Sequence, residues 1–361
     1  MRSASYTGND DRLGEVHYGN GRPAVIILRT YSTSGVPMST AIRIHAHGGP
    51  EVMRWEEVAV PDPGRGEARV RQTAVGLNFI DVYERTGLYG GALPGGLGRE
   101  AAGVIEAVGP GVRDFKVGDR VAYVSNSPGA YADERVLPVA QLVSVPDGVS
   151  DRLAAAALLK GMTAQVLLRR TYKVKKGTVV VVHAAAGGVG GILVQWALHL
   201  GAHVIAVVGS ESKAALVRAM GCKDVLILGQ DDLAARVKSL TGGQGAHVVY
   251  DSVGKDTFFP SLDSLRPLGM MVSYGNASGP VAPFAPLELA KRGSLFLTRP
   301  TLFSYTAKRA DLLKSAAELF DVIGRGVVRI EIGQTYPMRD VQQAHRDLQE
   351  RRTVGSTVLL P

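Results

Sequence analysis

The sequence predicts an α/β protein, a β-rich unit joined to a doubly wound parallel sheet, and three observations carry that expectation. Thr178 to His183 is an unbroken β-branched run closed by a histidine. Such a run suits a strand buried on both faces of a parallel sheet. From Val179 to Thr298, strand-like apolar runs alternate with helical ones, the order that builds parallel crossovers. Between Ala41 and Val145, short alternating runs are interrupted by glycine and proline, as antiparallel strands are.

Length and composition set the bounds. The 361 residues suffice for two cores. A hydrophobic fraction of 45% with 20% charged residues is that of a globular protein. No apolar run nears the ~18 residues that span a bilayer, and no leader resembles a signal peptide. The single cysteine, Cys222, rules out an internal disulfide and a cysteine-rich zinc lobe, and suits a reducing cytoplasm. The net charge of +8 is dispersed, so nucleic acid is not the expected partner; an anionic cofactor is motive enough for some of it.

Taken in order, residues 1–37 read as a turn-rich extension without regular order, or with an edge strand at 24–29. Strands follow at Ala41 to Ala46, Met53 to Val60 and Glu67 to Gly76, with turns at Gly48-Gly49-Pro50 and Pro61 to Gly66. Asn78 to Tyr89 reads as a short helix and a loop. Further strands are expected at Val104 to Val108, Arg120 to Val124 and Gln141 to Val145, then a helix at Asp151 to Gln165. Parallel strands are expected at 178–183, 203–208, 224–228, 246–250, 269–274 and 294–298. Helices are expected near 189–200, 211–220, 231–240 and 286–291. After a long helix from about Lys308 to Gly324, two strands flank a helix and return the chain to its first unit.

The stretch Ala184 to Gly190 lies between a strand and a helix with Val189, Leu193, Trp196, Ala197 and Leu200 at helical spacing. That layout aims a helix N-terminus at a pyrophosphate. Ala185 stands at the first glycine position of G-x-G-x-x-G, Gly187 at the second and Gly190 at the third. Gly187 allows close approach to phosphate, Gly190 allows the helix to pack on the strand, and Ala185 is tolerable at negative φ. Gly209 occupies the end of the second strand, where an NAD-specific site carries Asp or Glu. Ser210 and Lys213 follow and suit a 2′-phosphate. Glu211 suits the first helical turn.

With Asn78-Phe-Ile-Asp-Val-Tyr83, Gly98-Arg99-Glu100, Leu159-Lys160-Gly161, His183 to Gly190, Tyr250-Asp251-Ser252, Ser273-Tyr274-Gly275 and Thr298-Arg299-Pro300, the chain resembles one family. It is similar to the quinone oxidoreductases of the zeta-crystallin-like branch of the medium-chain dehydrogenase/reductase superfamily. The resemblance covers Met38 to Pro361. It implies a GroES-like catalytic domain over 38–165 and 300–361, a Rossmann domain over 166–299, NADPH as cofactor and a homodimer. The edge strand Ser294 to Thr298, with Leu295, Phe296 and Leu297, would pair across the dimer axis.

The resemblance also implies site residues. It places Asn78, Tyr83, Tyr89 and Arg299 around nicotinamide and substrate, with Tyr131 and Ser125 as weaker candidates. Asn78, Ile80, Thr163, Ala186, Gly187, Gly188 and Val189 fall to the cofactor, then Gly209, Ser210 and Lys213. Val253, Tyr274, Gly275, Asn276, Ser278, Arg299 and Arg351 complete that set. Read as residues alone, Asn78 could instead cap a helix, the tyrosines could be packing residues, and Arg299 could pair with a carboxylate. Leu228 stands where relatives often have a tyrosine against the adenine.

Zinc relatives in the superfamily read G-H-E where this chain reads Gly98-Arg99-Glu100; arginine cannot ligate zinc, and the eight histidines show no metal spacing. The implied reaction is metal-free hydride transfer from NADPH to a quinone. Two alternatives stay open: reduction of an enone or enal double bond, and a non-enzymatic nucleotide- or RNA-binding role of crystallin type.

Overall fold

A computed structural model describes residues 37–361 together with the backbone of Thr30 and Tyr31. Among these residues, six parallel strands form one sheet. Its order is Asp224–Ile227, His203–Val208, Val179–His183, Ala246–Asp251, Leu265–Ser273 and Phe296–Thr298. Every neighbouring pair is parallel. Val180, Val181 and Val182 are completely buried, which the double-sided covering of such a sheet explains. The helix Gly188–His199 sinks Ile192, Leu193, Trp196 and Ala197 against it. Gly201, at φ +77°, follows that helix at a position that favours glycine.

The second large sheet runs Ile332–Pro337, Ser356–Leu360, Glu67–Leu77, Glu100–Val108, Arg120–Val124 and Leu142–Ser144, with Glu134–Pro138 also paired to Glu67–Leu77. It is antiparallel except where Ile332–Pro337 meets Ser356–Leu360. The C-terminal strand therefore does return to the first unit. A smaller sheet joins Pro37–Ile44, Met53–Ala59, Gly95–Gly96 and Thr30–Tyr31. The helix Asp151–Val166 packs against both the antiparallel sheet and Gly188–His199, so it links the two layers. Its N-cap is Ser150, whose side chain accepts from the Leu153 amide. No helix among the described residues is long and apolar enough to cross a membrane.

Some expectations need correction. The strand Glu134–Pro138 and the helix Phe258–Asp263 were not expected. The first shows no strict alternation, and the second carries Pro260 in its first turn. The strand expected from Val104 begins at Glu100, because Glu100 to Gly103 pair with both neighbours. Leu295 is buried and precedes the edge strand, which is Phe296–Thr298. The edge strand expected at 24–29 lies outside the described residues, as does most of the 1–37 extension. Within the extension, Thr30 pairs with Met38 and Tyr31 with Pro37.

Candidate active site

The glycine turn takes its shape from its neighbours. Ala184 adopts φ +49°, while Ala185 stays on the negative side, the condition under which alanine is tolerable at the first glycine position. A Cβ at Gly190 would lie 2.2 Å from the Ala184 carbonyl oxygen, so only glycine lets this helix meet the strand so closely. Gly187 is the helix N-cap and offers no side chain to the first turn. The first amides of Gly188–His199 have no carbonyl one turn back, and they sit at the positive end of the helix dipole. From the other side, the Gly355 amide donates to the Ala186 carbonyl at 3.1 Å.

The turn opens into a cleft of about 590 Å3. At one end lie Gly209, Lys213, Leu228 and Arg351. A Cβ on Gly209 would meet no atom within 4 Å; the glycine there leaves space rather than easing packing. Glu211 forms an ion pair with Arg218, away from this corner. Lys213 and Arg351 are two like charges in proximity, and burial followed by the Arg351 charge draws the Lys213 pKa down. A dianionic group between them would relieve that repulsion.

At the other end stand Asn78, Ile80, Tyr83, Tyr89 and Arg299, with Thr163, Val253, Tyr274 and Gly275 along the wall. Asn78 occupies the N-cap position of the helix Phe79–Arg85, and its side-chain amide donates to Glu100 Oε1 at 2.8 Å. Among the described residues, Arg299 forms no ion pair with a carboxylate. Its guanidinium donates to Ser273 Oγ at 3.0 Å, the Gly275 carbonyl at 2.8 Å and the Tyr89 hydroxyl at 3.0 Å. The Tyr83 hydroxyl accepts the Asn276 amide proton at 2.7 Å. Burial pushes the Tyr83 phenol up to about 12, so it stays protonated. Each tyrosine oxygen accepts from a fixed donor, which orients the hydroxyl to donate elsewhere. The two rings are 5.0 Å apart.

Of the expected site residues, Ala186, Gly187, Gly188 and Val189 line the cleft with those named above. Ser210, Asn276 and Ser278 do not. Ser210 is a helix N-cap, accepting from the Lys213 amide and bonded to Ser212 Oγ. Ser278 donates to the Val253 carbonyl at 2.9 Å. Asn276 acts through its backbone on Tyr83. Each braces a lining residue instead of facing the cavity. The weaker candidates also fall away: Tyr131 and Ser125 are completely buried, Tyr131 donating to Asp81 Oδ2 and Ser125 bonded to Ser127. Tyr131 belongs to a directional chain. Arg85 Nη1 donates to His345 Nδ1 at 3.2 Å, which leaves the proton on Nε2, 3.1 Å from the Tyr131 oxygen.

Lys160, Thr301, Phe303 and Thr353 line the cleft without having been expected. Lys160 belongs to the Leu159-Lys160-Gly161 motif that carries the family resemblance, but the resemblance assigns no site role to it or to Phe303. Arg99 pairs with Glu84 and lies over the Phe303 ring, 5.3 Å from its centre.

Residues 64–147 match the alcohol dehydrogenase GroES-like domain family, and residues 188–320 match the zinc-binding dehydrogenase family. The quinone oxidoreductase of Pseudomonas aeruginosa is 49% identical over 325 residues, covering 90% of this chain and all of the relative. The chain belongs to the quinone oxidoreductase branch of the medium-chain dehydrogenase/reductase superfamily. A second relative within that superfamily, the 2-haloacrylate reductase of a Burkholderia species, is 47% identical over 90% of this chain and 99% of its own length. The crystal structure of Escherichia coli quinone oxidoreductase complexed with NADPH has a TM-score of 0.88 at 44% identity, covering 89% of this chain and 100% of that one. The GroES-like and Rossmann parts of this fold correspond to the antiparallel and parallel sheets described above.

Proposed function

We propose that the protein is an NADPH-dependent quinone reductase whose cleft holds the cofactor between the glycine turn and the Tyr83–Arg299 group. One observation carries the reading: a single cavity joins a phosphate-ready helix N-terminus, a basic corner at Lys213 and Arg351, and two polarised tyrosine hydroxyls. Bound NADPH supplies a hydride. The chain's own part is to hold it and to stabilise charge. Amides at Gly188 to Gly190 would hold the pyrophosphate, while Lys213 and Arg351 would take the 2′-phosphate. Hydride uptake leaves negative charge on a quinone oxygen. Tyr83 and Tyr89, whose oxygens accept from the Asn276 amide and the Arg299 guanidinium, would donate to that oxygen. We leave zinc out of the reaction because Arg99 holds the position of the zinc relatives' histidine and pairs with Glu84.

A second reading is favoured by the 2-haloacrylate reductase relative: the same donors would stabilise charge on the carbonyl of an activated alkene. Steady-state oxidation of NADPH against a panel of quinones, enones and haloacrylates separates the two. Turnover of neither class would end the reductase reading.

We take 38–165 with 300–361, and 166–299, as the two domains, and the cytoplasm as the location. A homodimer formed through Phe296–Thr298 is part of the same proposal. Phe296 is 56% exposed on that edge strand, which is costly to leave in water. Light scattering that gave a monomer mass would remove the dimer.

A further inference from the structure

Within the cleft floor lies a charged pair for which hydride transfer as described has no use. Glu100 is 0% exposed and Lys160 6%. Lys160 Nζ lies 3.0 Å from Glu100 Oε1, the same oxygen that accepts from Asn78. Glu100 Oε2 accepts the Leu159 amide at 2.6 Å. A buried pair of this kind contributes little net stability compared with apolar packing, and the preceding turn of the same helix, Ala154 to Ala157, is packed by alanine alone. The carboxylate is fully used, but the ammonium is not. It has three donors, and Glu100 is the acceptor that its hydrogen bonds reach among the described residues.

The place of Lys160 shows what the remaining donors are for. Its stem passes beneath the start of the glycine-turn helix: a Cβ on Gly188 would lie 2.7 Å from Lys160 Cδ. Its head meets Glu100 beside Asn78. Lys160 therefore lies between the phosphate end of the cleft and the Tyr83–Arg299 end, and it lines the cavity. We infer that Lys160 binds an oxygen of the dinucleotide between pyrophosphate and nicotinamide, a ribose hydroxyl, and that Glu100 is the positioning residue that sets Lys160 and Asn78 together.

This inference rests on the reading of the cleft as a reductase site. Its test is NADPH titration followed by nucleotide fluorescence, with melting temperature and steady-state rates alongside. Lys160→Met keeps the stem under Gly188 but orphans the Glu100 charge, so the double variant Glu100→Gln/Lys160→Met is measured too. Both are expected to bind NADPH about 10- to 100-fold more weakly, with the double variant melting near wild type. Glu100→Gln alone is expected to lower kcat about tenfold or more while the NADPH dissociation constant moves only a few-fold. A folded double variant with unchanged NADPH affinity overturns the role of Lys160. An unchanged kcat in Glu100→Gln overturns that of Glu100. Failure of the wild type to reduce any quinone or alkene would remove the activity, while the titration would still decide Lys160.

Discussion

Lys213 Nζ donates a hydrogen bond to the main-chain carbonyl of Arg351, 2.8 Å away and 138 residues along the chain. The lysine is thereby held beside Arg351, whose positive charge acts on it together with burial. Lys213→Ala is expected to raise the Michaelis constant for NADPH about ten- to a hundred-fold, the effect of a charged hydrogen bond contributing about 1.5–3 kcal/mol. The constant for NADH should hardly move. Equal losses for both cofactors would show that Lys213 does not read the 2′-phosphate.

That corner was legible in the sequence because it depends on what a single position lacks, an acid at Gly209. The glycine turn was legible for a similar reason, since Gly190 follows from close helix–strand packing. Not every residue that the resemblance implied lies on the cavity wall. Ser210, Asn276 and Ser278 flank lining residues, but each side chain or amide turns to a local cap or brace. Lys160 and Glu100 were invisible as a pair, because a carboxylate and an ammonium 60 residues apart meet only when a strand and a helix pack. The positive φ of Ala184 is likewise set by the tertiary crossing and not by its own residue type.

Tyr83→Phe removes a donor without opening a cavity. Loss of one oxyanion donor costs about 100- to 1000-fold where that donor acts nearly alone. Here Tyr89 and Arg299 remain, so kcat should fall about 10- to 100-fold, with the NADPH dissociation constant unchanged. An unaltered kcat across several quinones would show that the hydroxyl does not reach the reacting oxygen.

Asp81 and His345 sit at opposite sides of the Tyr131 hydroxyl and titrate in opposite senses. Burial chiefly, with the Glu84 and Glu100 charges adding and the Asn78 and Tyr131 hydrogen bonds opposing, raises Asp81 from 3.8 to about 7. The folded state keeps a proton that the unfolded chain releases, so this contribution is full below 3.8 and is lost as pH rises through about 7. Burial, then the Arg85 charge, lowers His345 from 6.5 to about 3. Its contribution is full above 6.5 and is lost as pH falls towards about 3. Across the shared window the two slopes, each up to about 1.4 kcal/mol per pH unit, oppose one another. Urea midpoints of the wild type should be nearly flat there. Asp81→Asn should lose stability on acidification, and His345→Gln as pH rises. Three parallel profiles would contradict this account.

Truncation separates the two parts of the N-terminal extension. Removal of residues 1–29 should leave the melting temperature unchanged. Removal of 1–37 also deletes the Thr30–Tyr31 pairing and the Pro37 carbonyl that accepts from the Val60 amide at 2.9 Å. Hydrogen bonds of about 1 kcal/mol each make a fall of a few degrees the expected result. Identical melting temperatures for both truncations would show that this edge adds nothing.

The contact of Gly355 with Ala186 also has a temporal side. During synthesis the glycine turn and its strand leave the ribosome long before the segment that closes them, and Lys213 waits 138 residues for the carbonyl that holds it. Contacts so distant in sequence form late, after their loop entropy has been met. A nascent or C-terminally clipped chain with the whole parallel sheet in place still offers NADPH half a binding site. A ligand that binds the finished form more tightly than the half-built one stabilises it by mass action, so NADPH should favour completed molecules over partial ones.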